Sequence, residues 1–123
     1  MISINYRDAR PIYEQVRDSF RALILSGALP SGYRMPSVRE LASSLAINPN
    51  TIQRAYRELE AEGYIASVPG KGSFVSPSEA ALKRHVAELE TGFTKLAGEL
   101  RALGVTEEEL IRLIQNGGES SEN

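Results

Sequence analysis

The chain has 123 residues, a net charge of −2 and no cysteine, with 24% charged residues, as is ordinary for a soluble globular protein. The absence of cysteine excludes disulfides, thiolate metal sites, iron–sulfur clusters and thiol redox switches. No apolar run reaches the roughly 18 residues of a membrane span, and the N-terminus lacks the segments of a signal peptide. We therefore expect a cytoplasmic protein with one domain and a modest appendage, with no membrane association.

The first predicted helix begins after Pro11, because a proline at the start of a helix loses no hydrogen bond. Apolar residues then recur at helical spacing, at Ile12, Val16, Phe20, Leu23 and Ile24. Gly27 and the Pro/Gly-containing residues 29–32 predict its end and a turn. Residues 33–35 are expected to be extended, because Met35 precedes a proline.

A helix–turn–helix is predicted over residues 37–62. Ser37 and Glu40 have the spacing of a capping box, in which each side chain accepts a hydrogen bond from the other's backbone N–H. The helix that they start is expected to end near Leu45. Asn48 as N-cap and Pro49 at the first helical position then restart a helix at once, so the connecting turn is very short.

A β-hairpin is predicted directly after this pair of helices. Gly63 is the expected stop of the second helix, residues 64–68 and 73–75 predict two strands, and Pro-Gly-Lys-Gly at 69–72 predicts their turn. The order of elements is that of a winged helix–turn–helix. The predicted fold class is therefore mainly α with a small β-hairpin wing, followed by a helical tail.

The exposed face of the second helix carries side chains that can pair with DNA bases. These are Asn50, Gln53, Arg54 and Arg57, at i, i+3, i+4 and i+7, with Thr51 beside them. Asn and Gln can bind adenine and Arg can bind guanine, and the N-terminal half of a recognition helix is the part that reaches the bases. Any surface helix has a polar face, so this pattern predicts DNA binding only together with the surrounding elements.

Further DNA-contact candidates flank this helix. Arg39 is expected to point outward from the first helix of the pair toward phosphate, and Arg34 lies just before that helix. Gly70 and Lys71 at the hairpin tip combine close backbone approach with a cation, as a wing in a minor groove requires. Local ion pairs for the arginines and a solvated loop for the hairpin are the alternatives.

The distribution of charge permits nucleic-acid binding by the first part of the chain. Residues 1–77 carry nine Lys/Arg and seven Asp/Glu, a net +2, whereas residues 78–123 carry five and nine, a net −4. This asymmetry is too small to argue for DNA binding by itself.

The tail carries an unbroken heptad seam, with apolar residues spaced alternately four and three apart at Leu82, Val86, Leu89, Phe93, Leu96, Leu100 and Leu103. This spacing predicts an intermolecular interface. We therefore predict a winged DNA-binding domain over residues 1–77 and a helical dimerisation tail over residues 78–123. Packing of the helix on its own winged domain is the alternative. A second capping box at residues 106–109 predicts a short last helix, and residues 116–123 a frayed end.

Several short motifs follow one another between residues 11 and 76: Pro-Ile-Tyr-Glu-Gln at 11–15, Gly32, Met-Pro-Ser at 35–37, Arg-Glu-Leu-Ala at 39–42, Asn-Thr at 50–51, Ala55, Leu59, Glu-Gly at 62–63 and Gly-Lys-Gly-Ser-Phe-Val at 70–75. In this order they resemble the N-terminal domain of GntR-type regulators. The short tail is similar to the YtrA-like branch, whose members dimerise through it and often control adjacent transporter operons.

The resemblance implies DNA contacts at Arg34, Ser37, Arg39, Asn50, Thr51, Gln53, Arg54 and Gly70. This sequence departs from the family pattern at Pro49, where some branches carry a base-reading arginine. The operator sequences of those branches are therefore not expected to apply to this protein. Together these features predict a sequence-specific transcription regulator, a repressor that binds a palindromic double-stranded DNA operator as a homodimer. The alternative from another class is a winged-helix adaptor that binds protein, although a polar helix face argues against it.

No enzyme activity, cofactor or metal is expected, because no nucleophile–His–carboxylate set, phosphate loop or metal-ligand cluster appears. His85, with Glu88 three residues on, makes a poor metal site and is expected to be solvated. The tyrosines at positions 13, 33, 56 and 64 are expected to be packing residues. The sequence leaves open whether a small-molecule effector binds, since nothing in the tail indicates a pocket for one.

Overall fold

The computed structural model describes residues 2–120 of the chain. Its elements are α1 (Ile12–Leu25), α2 (Val38–Leu45), α3 (Pro49–Ala61), β1 (Ile65–Val68), β2 (Gly72–Val75), α4 (Glu79–Ala102) and α5 (Glu107–Ser120). The chain divides into two compact units, Met1–Leu82 and Lys83–Asn123. The predicted fold class, mainly α with a two-stranded hairpin, is confirmed.

The helix–turn–helix begins where the capping residues predict it. The backbone N–H of Glu40 donates to Ser37 Oγ at 3.0 Å, which is one half of the predicted capping box. The N–H of Asn50 donates to Asn48 Oδ1 at 2.8 Å, and Pro49 occupies the first turn of α3. Local side-chain chemistry therefore fixes the start of both helices.

The turn between α2 and α3 is tight because its first residue, Ala46, adopts a left-handed conformation with φ 55°. The N–H of Ile47 then donates to the carbonyl of Ala42 at 2.9 Å. A left-handed residue that is not glycine costs roughly 1–2 kcal/mol, so the packing of the two helices has to offset this strain.

The hydrophobic core lies in the first unit, between α1, α2, α3 and the hairpin. Phe20 of α1 is fully buried and meets Tyr56 of α3 edge to face, with ring centroids 5.8 Å apart. The Tyr56 hydroxyl donates to the carbonyl of Pro36 at 2.7 Å, and burial raises the pKa of this phenol. This contact ties α3 to Pro36, the residue that precedes the N-cap of α2.

The hairpin is bonded along both edges of its second strand. β1 and β2 pair antiparallel, with Ile65 opposite Val75. On the other edge of β2, the N–H of Met35 donates to Ser73 O at 2.8 Å, and the N–H of Val75 donates to Tyr33 O at 2.8 Å. The extended segment predicted at residues 33–35 thus anchors the wing beside α2.

Gln15 holds the residues that precede α1. Its buried side-chain amide accepts from the N–H of Asn5 at 2.9 Å and donates to the carbonyl of the same residue at 3.1 Å. It also donates to Arg10 O at 3.2 Å. One glutamine therefore pairs with backbone groups that would otherwise need water.

The first turn of α4 belongs to the first unit, so the compact unit extends five residues past the predicted boundary at residue 77. Ala81 is fully buried, and the N–H of Ser78 donates to Gly63 O at 2.8 Å. Gly63 has φ 87°, and a Cβ there would lie 2.6 Å from Ser78 Oγ, so this crossing needs glycine.

The second unit contains the rest of α4 and the whole of α5. The second capping box is complete, because Thr106 and Glu109 each accept the other's backbone N–H, at 3.2 and 3.0 Å. The prediction of a frayed end is wrong for residues 116–120, which are helical, and residues 121–123 lie outside the described part. Glycine at 117 weakens a helix but retains its N–H, so it does not stop one. Within residues 2–120, no helix is long and apolar enough to cross a membrane.

Candidate nucleic-acid interface

The face of α3 that the sequence assigns to DNA is exposed. Asn50, Gln53, Arg54 and Arg57 are exposed and Thr51 is half-buried. The opposite face packs into the core through Ile52, Ala55, Tyr56 and Leu59. The helix therefore presents amide and guanidinium groups to the outside from its N-terminal two-thirds, as a helix that enters a major groove must.

The start of α2 contributes polar groups beside this face. Ser37 and Arg39 are both exposed. The Ser37 hydroxyl accepts the N–H of Glu40, so its own hydrogen can still be donated to a phosphate oxygen. The helix N-terminus adds a partial positive charge at the same place.

The structure brings three of the predicted residues together at the wing tip. Gly70 and Lys71 are exposed in the hairpin turn, and Gly70 has φ 76°, which favours glycine. Arg34 Nε donates to Lys71 O at 3.2 Å. A Cβ at Gly72 would lie 3.3 Å from Arg34 Nε, so the guanidinium lies closely over the turn. The wing tip thus carries two cations.

Arg54 stacks on a tyrosine of α1 that the sequence did not indicate. Its Cζ lies 3.7 Å from the centroid of the Tyr13 ring, and its Nη2 donates to the Tyr13 hydroxyl at 3.1 Å. Its Nε donates to Glu58 Oε2 at 3.4 Å. Tyr13 precedes Arg54 by 41 residues, and no local motif links the two.

A network of ion pairs continues from Arg54 along α1 and α3. Glu58 Oε1 accepts from Arg17 Nη1 at 2.7 Å, and Arg17 Nε donates to Asp18 at 2.9 Å. The hydrogen bond from Arg17 lowers the pKa of the Glu58 carboxyl, with a smaller contribution from Arg54. Burial alone would lower the pKa of Arg17, but its bonds to Glu58 and Asp18 raise it.

The four tyrosines expected to be packing residues do not behave alike. Tyr56 and Tyr64 are buried, as predicted. Tyr13 is half-buried and stacks on Arg54. Tyr33 is 39% exposed and is not one of the buried core residues. Its backbone carbonyl accepts the N–H of Val75 and so pairs with β2.

The seven seam residues, Leu82, Val86, Leu89, Phe93, Leu96, Leu100 and Leu103, are all exposed in the single chain, by 36–83%. The last helix adds an apolar face that the seam prediction did not include. An open groove of about 230 Å³ is lined by Phe93, Leu96, Ala97 and Leu100 of α4 and by Leu110, Leu113 and Ile114 of α5. The spacing of the α5 residues could have revealed this face, because they recur at three and four.

In the part of the chain that the structure describes, no three His, Cys, Asp or Glu side chains are grouped so that they could hold a metal ion. His85 Nδ1 lies 3.9 Å from Glu88 Oε2, and the histidine side chain is 30% exposed.

Residues 12–75, just over half of the chain, match the family described as bacterial regulatory proteins, gntR family. The chain belongs to the gntR family. Over 76 residues, 62% of this chain and 58% of the relative, it is 46% identical to the HTH-type transcriptional repressor YtrA of Bacillus subtilis. It is 33% identical over 92% of its length to the HTH-type transcriptional regulator Rv1152 of Mycobacterium tuberculosis, of which the match covers 90%.

Solved structures of other transcription regulators have a similar fold. A transcriptional regulator from Oenococcus oeni superposes with a TM-score of 0.72 at 31% identity, covering 94% of this chain and 95% of that one. The DNA-binding domain of AraR, solved in complex with its operator ORR3, superposes with a TM-score of 0.53 at 26% identity, covering 62% and 92%. This gntR-family chain is therefore a helix–turn–helix transcription regulator and not an enzyme.

Proposed function

We propose that residues 1–77 bind a specific double-stranded DNA operator and that residues 78–123 join two copies of the chain. The observation that carries the DNA-binding part is the exposed amide and guanidinium face of α3 beside a cationic wing tip. Base edges can be bound by the side chains of Asn50, Gln53 and Arg57. A phosphate or a minor groove can be bound by the cations of Lys71 and Arg34. The AraR domain, which has this fold, is itself solved on an operator.

The dimer is supported by the apolar surface of the second unit. The seam residues of α4 and the groove beside α5 would stay in contact with water in a single chain. Contiguous apolar surface of this kind marks an interaction site. A second copy fits the requirement, because a heptad seam is complementary to itself in a two-fold pair. All the seam residues lie after residue 77, in the part of the chain that we propose for dimerisation.

Two joined winged domains would contact two half-sites about 34–36 Å apart, one helical turn of DNA. We propose a palindromic operator for this reason. We also propose repression by occupation of a promoter, since the relative YtrA is named a transcriptional repressor. Control of a neighbouring transporter operon and a location in the cytoplasm are the corresponding expectations for this chain.

The test of DNA binding is an electrophoretic shift at several salt concentrations. Its two probes are the promoter DNA upstream of the chain's own gene and a duplex that the wild-type chain selects from a random library. Each phosphate contact that is lost reduces the slope of log affinity against log salt by roughly 0.9. We expect Lys71→Ala to reduce the slope by about this amount.

Arg101→Ala is the matched control, because it also removes one cation, from an exposed position on α4. It should leave the slope unchanged. If no duplex is selected, or if affinity is weak, equal for every sequence and indifferent to Lys71, the DNA-binding proposal fails. A winged helix that binds protein would then be favoured.

A further inference from the structure

Arg54 differs from the neighbouring Asn50, Gln53 and Arg57 on the exposed face of α3 in having a partner on another helix. Its guanidinium stacks on the ring of Tyr13, at 3.7 Å from Cζ to the ring centroid, and donates to the hydroxyl of the same tyrosine at 3.1 Å. Stacking on an aromatic face attracts a cation and also fixes the plane of the guanidinium.

The two groups that bind Arg54, the Tyr13 hydroxyl and the Glu58 carboxylate, each make a further hydrogen bond to another residue. The Tyr13 hydroxyl accepts from Arg54 and donates to Glu14 Oε1 at 3.3 Å, so both of its hydrogen-bonding roles are used. Glu58 accepts from Arg54 Nε at 3.4 Å and from Arg17 Nη1 at 2.7 Å. Arg54 therefore sits between two oriented groups that belong to α1 and α3.

These contacts leave part of the guanidinium available for DNA. An arginine has five N–H donors, and the bonds to Glu58 and Tyr13 use two of them. The Arg54 side chain is 55% exposed, so the remaining edge can reach a phosphate or a guanine. An arginine that is already fixed loses less rotamer freedom on binding, and this preorganisation adds affinity without a new contact.

We propose that Tyr13 is a positioning residue for DNA recognition, which holds Arg54 on the DNA-binding face while making no DNA contact of its own. The proposal rests on the function proposed above, because it requires that Arg54 contacts the operator. It assigns to the first helix, outside the helix–turn–helix, a share in the affinity for the operator.

The experiment is a double-mutant cycle in the full-length chain. Affinity for the duplex selected from the random library is measured for wild type, Tyr13→Leu, Arg54→Ala and the double variant. An exposed cation–π contact stabilises by about 0.5–1 kcal/mol, so Tyr13→Leu should weaken binding roughly two- to fivefold. In the Arg54→Ala background, the same change should have no further effect.

Two further variants separate positioning from a general structural effect. Tyr13→Phe keeps the ring and loses the hydroxyl, so it should recover part of the affinity that Tyr13→Leu loses. Ile12→Ala truncates the half-buried neighbour at the start of α1 and serves as the matched control. It should lower the thermal unfolding midpoint and leave the affinity of the folded protein unchanged.

The outcomes distinguish the two proposals. If wild type binds no duplex, DNA binding fails and the role of Tyr13 fails with it. If wild type binds but Arg54→Ala is neutral, DNA binding stands and the positioning of Arg54 is overturned. Positioning is also overturned if Tyr13→Leu weakens binding by the same factor with and without Arg54, because Tyr13 would then act independently.

Discussion

The two compact units of this chain treat their apolar side chains in opposite ways. The first unit buries fifteen of them in one core, and the largest of those below 2% exposure are Phe20, Ile52, Leu59, Val16 and Val75. In the second unit, no side chain between residues 83 and 117 is buried, and Phe93 and Leu96 are 54% and 62% exposed. The first unit has the buried core of a folded domain, whereas the second exposes the contiguous apolar surface that we propose as a dimer interface.

This difference predicts what a substitution will change. In the first unit, loss of an apolar side chain leaves a cavity and should appear as a loss of unfolding free energy. In the second unit, the same kind of change should appear as weaker association, because those side chains have no core of their own.

The most damaging change should be Leu89→Asp combined with Leu96→Asp in the exposed seam. If a second copy covers this seam, each new carboxylate is buried without a partner, at a cost of several kcal/mol. We expect the dimer to weaken by about a thousandfold or more, since roughly 4 kcal/mol corresponds to that factor. Sedimentation at micromolar concentration measures it.

The control for that variant is Thr91→Asp with Thr94→Asp, which adds the same two charges to exposed positions of α4 outside the seam. This control should remain dimeric. If both double variants keep the oligomeric state of wild type, the seam is not the interface, and the contrast between the units loses its explanation.

Phe20→Ala should have the next largest effect. Phe20 is fully buried against Tyr56, and a change from phenylalanine to alanine in a core costs about 3–5 kcal/mol. Urea unfolding monitored by circular dichroism gives the value. Tyr6→Ala removes an aromatic ring that is 70% exposed, and we expect it to cost below about 0.5 kcal/mol. Equal losses for the two variants would be inconsistent with the described core.

Gln53→Ala should act on recognition and leave stability intact. A bidentate contact of glutamine with adenine discriminates against other bases by about 1–3 kcal/mol. We expect affinity for the selected duplex to fall roughly five- to 150-fold, with affinity for random duplex unchanged. Fluorescence anisotropy with both duplexes tests this, and a uniform loss on both would show that Gln53 contacts the DNA backbone instead.

The smallest effect concerns the pH dependence of stability through Glu58. Its hydrogen bond from Arg17 holds its pKa below the ordinary 4.5, so the ionised carboxylate stabilises the folded chain above that pH. The contribution is lost as the pH falls through the folded pKa. For a partly exposed ion pair we expect less than about 1 kcal/mol.

Thermal unfolding of wild type and Glu58→Gln between about pH 6 and about pH 3 isolates this contribution, because the other carboxyl groups titrate in both proteins. Wild type should be the more stable at the higher pH, and the difference should shrink as the pH is lowered. A difference that grows on acidification would contradict the direction of the pKa shift.

The sequence predicted those features that depend on neighbouring residues. Ser37 and Asn48 cap helices through backbone groups two or three positions away, and Pro49 fixes its own φ. The exposed face of α3 and the seam of α4 follow from the helical repeat, so their exposure could also be predicted. The order of these elements was sufficient for the fold class and the family.

The features that the sequence did not predict depend on tertiary packing. Tyr13 meets Arg54 across 41 residues, and Arg34 reaches Lys71 across 37. Ala46 is left-handed without the glycine that would have signalled it. The two side-chain contacts form because the folded core brings distant segments together, and no spacing within either segment indicates them.

The most direct test is native mass spectrometry of the wild-type chain at micromolar concentration, alone and with a duplex that carries two half-sites one helical turn apart. We predict a particle of twice the 13.5 kDa chain mass, and a complex of two chains on one duplex. A monomer in solution that forms a one-to-one complex would contradict the proposal that the exposed seam joins two DNA-binding domains.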